Sequence, residues 1–182
     1  MTGGIGYFIG CAKAFTAPQT DRLPGFMSVI RIVLFQPDIP QNVGAVLRLG
    51  ACFDIAVEII EPCGFVWDDK RIKRAGMDYV DNVSLTRHQS WEAYISAQSG
   101  QTSRLVLFTT KASEPHHSFS FAAGDHLVFG QESAGVPDEV HKAADARLSI
   151  PMAAGARSLN LAQSAAIASA EGLRQLNEWP VG

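Results

Sequence analysis

The sequence predicts an α/β domain: a mainly parallel sheet with helices on both faces. Three observations predict it. Short apolar, β-branched runs alternate with helix-patterned segments, the 182 residues suit one core, and unusual glycine- or proline-bearing loops follow three of the runs. Residues 1–26 read as an amino-terminal arm or an overcalled start, and residues 27–182 as a single domain.

The first run, Val29 to Phe35, ends at Gln36-Pro37-Asp38-Ile39-Pro40, where two prolines stop a strand. Asn42 to Phe53 places Val43, Val46, Leu47 and Gly50 at helical spacing, and Ala56 to Ile60 reads as the next buried strand, giving a βαβ unit. Asp68 to Gly76 reads as a charged helical turn or two. Tyr79 to Leu85 reads as a third strand, and Trp91 to Ala97 as a helix. Arg104 to Thr109, His126 to Phe129 and Arg147 to Ile150 supply three more strands. A helix from about Leu159 to Asn177 closes the chain, rich in alanine and suited to tight internal or intersubunit packing. In such a sheet ligands bind beyond the carboxyl ends of the strands. The exits after Phe35, Phe129 and Ile150 therefore carry the functional expectations.

The formal net charge of −3 excludes a chain that binds nucleic acid through overall basicity, so any such binding needs a local patch. Cys11, Cys52 and Cys63 lack metal-binding spacing and read as reduced thiols. His116 and His117, if on a strand, point to opposite faces, so no metal site is expected. The apolar stretch Ile5 to Ala14 lacks a basic lead and is too short to span a bilayer, so neither signal peptide nor membrane association is expected. Glycines 3, 4, 6 and 10 do not make a dinucleotide-binding loop, which argues against a nicotinamide-dependent oxidoreductase.

The second exit reads Gly130-Gln131-Glu132-Ser133-Ala134-Gly135-Val136-Pro137, with glycines where a backbone bends sharply or approaches a ligand. Taken alone this is an ordinary turn, and Glu132 a solvated acid. The third exit, Pro151 to Asn160, runs into the last helix, where Ser158 could simply cap exposed N–H groups. At the first exit, Asn42-Val43-Gly44-Ala45-Val46-Leu47-Arg48 brings Arg48 within two helical turns of Asn42, near enough to face the same crevice. On its own such an arginine is a surface residue.

Together the three segments resemble the motifs of the SPOUT methyltransferases, SpoU branch. N-x-G-x-x-x-R is matched by Asn42, Gly44 and Arg48, and G-x-E-x-x-G by Gly130, Glu132 and Gly135. The I-P-M exit with S-[LM]-N is matched by Ile150, Pro151, Met152, Ser158, Leu159 and Asn160. The segment Glu61 to Arg71, with Arg74-Ala75-Gly76 and Asp78-Tyr79, is similar to the tRNA (cytidine/uridine) 2′-O-methyltransferases that act at the wobble nucleotide. The resemblance implies an α/β knot with a deep carboxyl-terminal trefoil knot, S-adenosyl-L-methionine as cofactor, tRNA as partner, a homodimer and a cytoplasmic location. It assigns catalysis to Arg48, Asn42 and Ser158, and cofactor binding to Phe108, Gly130, Ile150, Ser158 and Leu159. Asn42 would hold Arg48 or the ribose, and Glu132 and Asn160 would organise the loops. Lys70, Arg71, Lys73 and Arg74 would contact RNA phosphates, with Arg87 and His88 joining that surface. The branch often carries arginine where Ala134 stands here. That departure and the acidic charge motivate an alternative, a non-catalytic RNA-binding protein that keeps the fold.

Overall fold

The computed structural model describes residues 29–70, 72 and 82–181. The expected arm and the basic residues Arg71, Lys73 and Arg74 lie outside the described residues. Strand β1 (Ile30–Phe35) leads through helix α1 (Pro40–Phe53) to β2 (Ala56–Ile60), and β3 (Leu85–His88) is followed by α2 (Trp91–Gln98). Then come β4 (Leu105–Phe108), the short β5 (Glu114–Pro115) with a 3-10 turn at His116–Ser118, and β6 (Asp125–Phe129). Helix α3 (Asp138–Ala143), β7 (Ala146–Ser149) and α4 (Leu161–Leu176) complete the order. Among the described residues the sheet has seven strands in the order β3-β2-β1-β6-β4-β7-β5, and every pairing is parallel.

Alternation within each strand divides the core between the two faces of the sheet. Ile30, Ile32, Leu34, Val106, Phe108, Leu127 and Phe129 face one layer, where α1 and α4 pack. Val33, Phe35, Leu105, Leu107 and Val128 face the other, covered by Trp91 and Tyr94 of α2 and Val140 of α3. Three of the small residues of α4, Ala165, Ala168 and Gly172, serve internal packing. Ala165 and Ala168 are fully buried, and a Cβ at Gly172 would stand 3.1 Å from the Ile30 Cδ1. At α1, a Cβ on Gly50 would meet the Ile55 carbonyl oxygen at 2.7 Å, so that glycine seats the helix on the next strand.

The third strand is displaced from its expected position. Residues 82–84 are not strand, residues 79–81 lie outside the described residues, and pairing with β2 begins only at Leu85, opposite Val57. Leu85-Thr86-Arg87-His88 is a poor apolar run, but it forms an edge strand whose two basic residues find acids. Arg87 pairs with Glu61, and His88 Nε2 lies 2.8 Å from the buried Glu58. His88 is thus tied to a buried acid, with its side chain 9% exposed. Arg87 is also occupied, with its guanidinium 4.2 Å over the Trp67 ring. Residues 69, 70 and 72 are helical, as expected for the start of the charged segment.

Under α2 lies a polar pocket of the core. Arg31 donates to Glu58 at 2.5 Å, and the Tyr94 hydroxyl lies 2.6 Å from His126 Nδ1. Burial raises the Tyr94 pKa and lowers that of His126, so the phenol keeps its proton and donates to a neutral imidazole.

Candidate functional site

All strands run the same way, so the loops after β1, β4, β6 and β7 open at one end of the sheet, and a cavity of about 590 Å³ lies among them. Its lining includes Asn42, Phe108, Gly130, Glu132, Ile150, Ser158, Leu159 and Asn160, so eight of the nine expected catalytic, cofactor-binding and loop-organising residues meet in one place. The ninth, Arg48, does not. It is exposed on α1 and is not among the lining residues. Six residues at about 3.6 per turn carry it well away from the direction of Asn42. The loop after Phe108, with Thr109, Thr110 and Lys111, is a fourth wall that the reading of exits did not single out.

A relay of hydrogen bonds ties the walls together. Glu132 accepts from the Asp38 backbone N–H and from Asn42 Nδ2, each at 2.8 Å. Asn42 Oδ1 in turn accepts from Asn160 Nδ2 at 2.8 Å. Asn160 Oδ1 accepts from the backbone N–H groups of Ala162 and Gln163, capping α4. Glu132 thus ties its loop to the first exit, and Asn160 ties α4 to Asn42. Asn42 holds Glu132 and Asn160. Ser158 is not the cap; Asn160 occupies that position, leaving Ser158 exposed on the cavity wall.

Asp38 is a residue that sequence reasoning passed over as part of a loop. Its carboxylate accepts from the Ser133 hydroxyl at 2.6 Å and the Ser133 N–H at 3.0 Å, clamping the tip of the β6 loop. A Cβ on Gly64 would lie 2.6 Å from Asp38 Oδ1, so the segment after β2 needs glycine to support Asp38. Next to it, burial and then the Glu61 charge push the Cys63 thiol up to about 11, with Glu132 adding and Arg87 opposing.

Gly130 is set by a close backbone approach. A Cβ there would stand 2.5 Å from the Gly135 carbonyl carbon, so the glycine lets the loop fold back on itself through the reciprocal Gln131–Gly135 backbone bonds. Gly135 sits at φ +72°, where glycine is unstrained. The cavity is within the range of about 300–1,000 Å³ usual for small-molecule sites. Apolar groups on its wall include Phe108 and Phe129, stacked with centroids 5.1 Å apart, together with Ile150 and Leu161; Thr109 and Ser158 supply hydroxyls. That mixture suits a ligand with a flat heteroaromatic ring, a sugar and a short polar chain, so an adenosyl cofactor fits. Among the described residues no group of three or more His, Cys, Asp or Glu side chains could hold a metal ion. His116 and His117 lie on the 3-10 turn, not on a strand.

Comparison with known proteins adds four findings. Residues 29–170 match the SpoU rRNA Methylase family. A tRNA (cytidine(34)-2′-O)-methyltransferase of Beijerinckia indica subsp. indica is 51% identical over 145 residues, which cover 80% of this chain and 91% of the relative. A structure solved for the 2-OH methylation of C/U34 on tRNA superposes with a TM-score of 0.78 at 38% identity, covering 82% of this chain and 97% of its own. An AdoMet-bound rRNA methyltransferase from Sinorhizobium meliloti gives 0.74 at 25% identity, covering 81% and 56%.

Proposed function

The chain belongs to the SpoU rRNA Methylase family, and from that premise we propose that it is a tRNA 2′-O-methyltransferase. It transfers a methyl group from S-adenosyl-L-methionine to the ribose 2′-hydroxyl of the wobble nucleotide, cytidine or uridine, in the anticodon loop. One observation carries the reading: Asn42, Glu132 and Asn160, from three distant segments, join in a single relay on the wall of one adenosyl-sized cavity.

When bound, S-adenosyl-L-methionine supplies the methyl group and the thioether that leaves it. Backbone groups at Phe108, Gly130, Ile150 and Leu159 hold its adenine and ribose, and Ser158 orients the reacting 2′-oxygen or the cofactor. The relay through Asn42 contributes rigidity, and fixed orientation supplies a large part of the rate in a direct displacement. Glu132 acts through Asn42 and the Asp38 backbone rather than on the reacting atoms, because both its oxygens are engaged.

Arg48 is exposed on α1, outside the cavity wall of its own chain. We place it instead at the cavity of a second copy in a homodimer, where it faces the target nucleotide. A guanidinium keeps its proton in proteins, so Arg48 clamps a phosphate that helps accept the proton leaving the 2′-hydroxyl. The exposed Ile167 of α4 and Trp179 beyond it give the two copies an apolar contact. The sheet order, with β6 entering between β1 and β4 and β7 between β4 and β5, supports a deep trefoil knot in the carboxyl-terminal half, against the general rule that chains do not thread themselves. The described elements, from β1 to α4, act as one domain. Among the described residues no helix is long and apolar enough to cross a membrane, and a tRNA substrate fits a cytoplasmic location.

Purified protein given labelled S-adenosyl-L-methionine and tRNA lacking the modification will label the tRNA. Arg48→Ala and Ser158→Ala proteins, each inactive, will recover up to about a quarter of wild-type activity when co-refolded, through dimers holding one intact site. Absence of labelling by the wild type would refute the function. Absence of recovery with the wild type active would refute the shared site.

A further inference from the structure

We propose that Lys111 and Arg157 form a clamp for RNA backbone phosphates at the mouth of the cavity. The inference rests on the RNA substrate proposed above and names residues that grip it.

The two side chains come from different walls. Lys111 stands in the loop after β4, and Arg157 in the loop between β7 and α4, immediately before Ser158. Both line the cavity and both are exposed, so they sit where the cavity opens to solvent. Local turns hold their backbones. The Lys111 N–H donates to the Thr109 hydroxyl at 3.2 Å, and the Thr109 N–H to the Leu148 carbonyl at 2.9 Å. Beside Arg157, the Ala156 N–H donates to the Ala153 carbonyl at 3.1 Å, closing a turn that uses Gly155 at φ +88°.

Neither cationic group has a partner among the described residues. The acid that lines the same cavity, Glu132, is already engaged through both oxygens, and the loop tip at Ala134 adds no charge. Four other acids are held in pairs: Glu58 with Arg31, Glu61 with Arg87, Asp125 with Arg104 and Glu171 with Arg174. In a chain of net charge −3, two unpaired cations facing one opening form the local positive patch that RNA binding requires. Their exposure favours a ligand that lies across the opening over one enclosed within it. A phosphodiester backbone presents regularly spaced anions of that kind, while the target ribose enters between the clamp arms. Phosphate contacts of this sort fix register without reading sequence.

The test uses the purified full-length protein and its variants Lys111→Ala, Arg157→Ala and the double variant. Affinity for tRNA is measured across a series of KCl concentrations, and affinity for S-adenosyl-L-methionine by calorimetry. Each contact to a single-stranded backbone contributes about 0.7 to the slope of log affinity against log salt, so the double variant should lose about 1.4 of that slope. Its tRNA affinity at low salt should fall roughly tenfold, with cofactor affinity unchanged. Arg157→Lys, which keeps the charge, should retain the wild-type slope. Unchanged tRNA affinity and slope in the double variant would overturn the assignment. So would a loss of cofactor affinity with tRNA binding intact, which would give these side chains to the cofactor's carboxylate. A wild-type protein that binds no tRNA would overturn the proposed function and this clamp with it.

Discussion

Replacing Glu132 by glutamine reverses the donor order of the relay, and the structure says where the cost falls. Asp38 N–H and Asn42 Nδ2 donate to Glu132, Asn160 Nδ2 donates to Asn42, and Asn160 Oδ1 accepts from Ala162 and Gln163. A glutamine still accepts from Asp38 but turns an NH2 toward Asn42. Rotating the Asn42 amide restores that bond and presents an NH2 to Asn160, which must rotate in turn and then faces the N–H groups of α4. One bond is lost wherever the conflict is left. At the helix cap it costs about 1 kcal/mol; at a bond that the charged carboxylate had accepted it costs about 1.5–3 kcal/mol. Glu132→Gln should therefore lower the unfolding free energy by about 1–3 kcal/mol in urea titration. Asn160→Asp alone opposes two acceptors at Asn42 and should cost a similar amount. The double variant Glu132→Gln with Asn160→Asp restores every bond. The introduced glutamine donates to Asn42, Asn42 donates to the introduced aspartate, and that carboxylate caps α4, where the helix dipole favours a negative charge. The double-mutant cycle should show a favourable coupling of about 1–3 kcal/mol. Additive losses within about 0.5 kcal/mol would refute the relay.

Gly130→Ala brings its Cβ against the Gly135 backbone, which cannot yield without moving the loop. We expect a loss of roughly 1–3 kcal/mol in stability and weakened cofactor binding by calorimetry; wild-type values would contradict the packing argument. Cys63, its pKa pushed up to about 11 mainly by burial, should react slowly with iodoacetamide at pH 8 and accelerate as pH rises toward that value, read by mass spectrometry. Burial depresses the pKa of His126 below the ordinary 6.5, so its contribution to stability is present above that pH and is lost as pH falls below it toward the folded value. His126→Asn, which keeps an acceptor for the Tyr94 hydroxyl, should flatten the stability profile below pH 6.5, and an unaltered profile would count against a neutral buried His126. Tyr94→Phe should cost about 1–2 kcal/mol by leaving His126 without its donor.

Strands with continuous apolar runs were legible to within a residue or two. The reading of Ala56 to Ile60 matches β2, and that of Trp91 to Ala97 stops one residue short of α2. What escaped had no periodic signal. Helix α3 is six residues long and buries only Val140, and β5 is a two-residue edge strand defined by its pairing with β7. Leu85–His88 is a poor apolar run, and its edge position and pairing with acids, both tertiary, make it a strand that no local pattern shows. At the site, the motif residues were readable singly while their partnership was not. Asn42 lies 90 residues from Glu132 and 118 from Asn160, and no local pattern encodes a bond across that distance. Asp38 carried a weak signal, an acid between two prolines at a strand exit. Arg48 was misdirected because proximity along a helix does not set which side of it a residue faces.

The central claim is methyl transfer to one oxygen of one nucleotide. Incubating the purified protein with S-adenosyl-L-methionine and tRNA from cells lacking the modification, then mapping nuclease fragments by mass spectrometry, tests it most directly. A 2′-O-methylated cytidine or uridine at the wobble position, absent from the Ser158→Ala reaction, is the predicted result; methylation of a base, or of a ribose elsewhere in the tRNA, would contradict it.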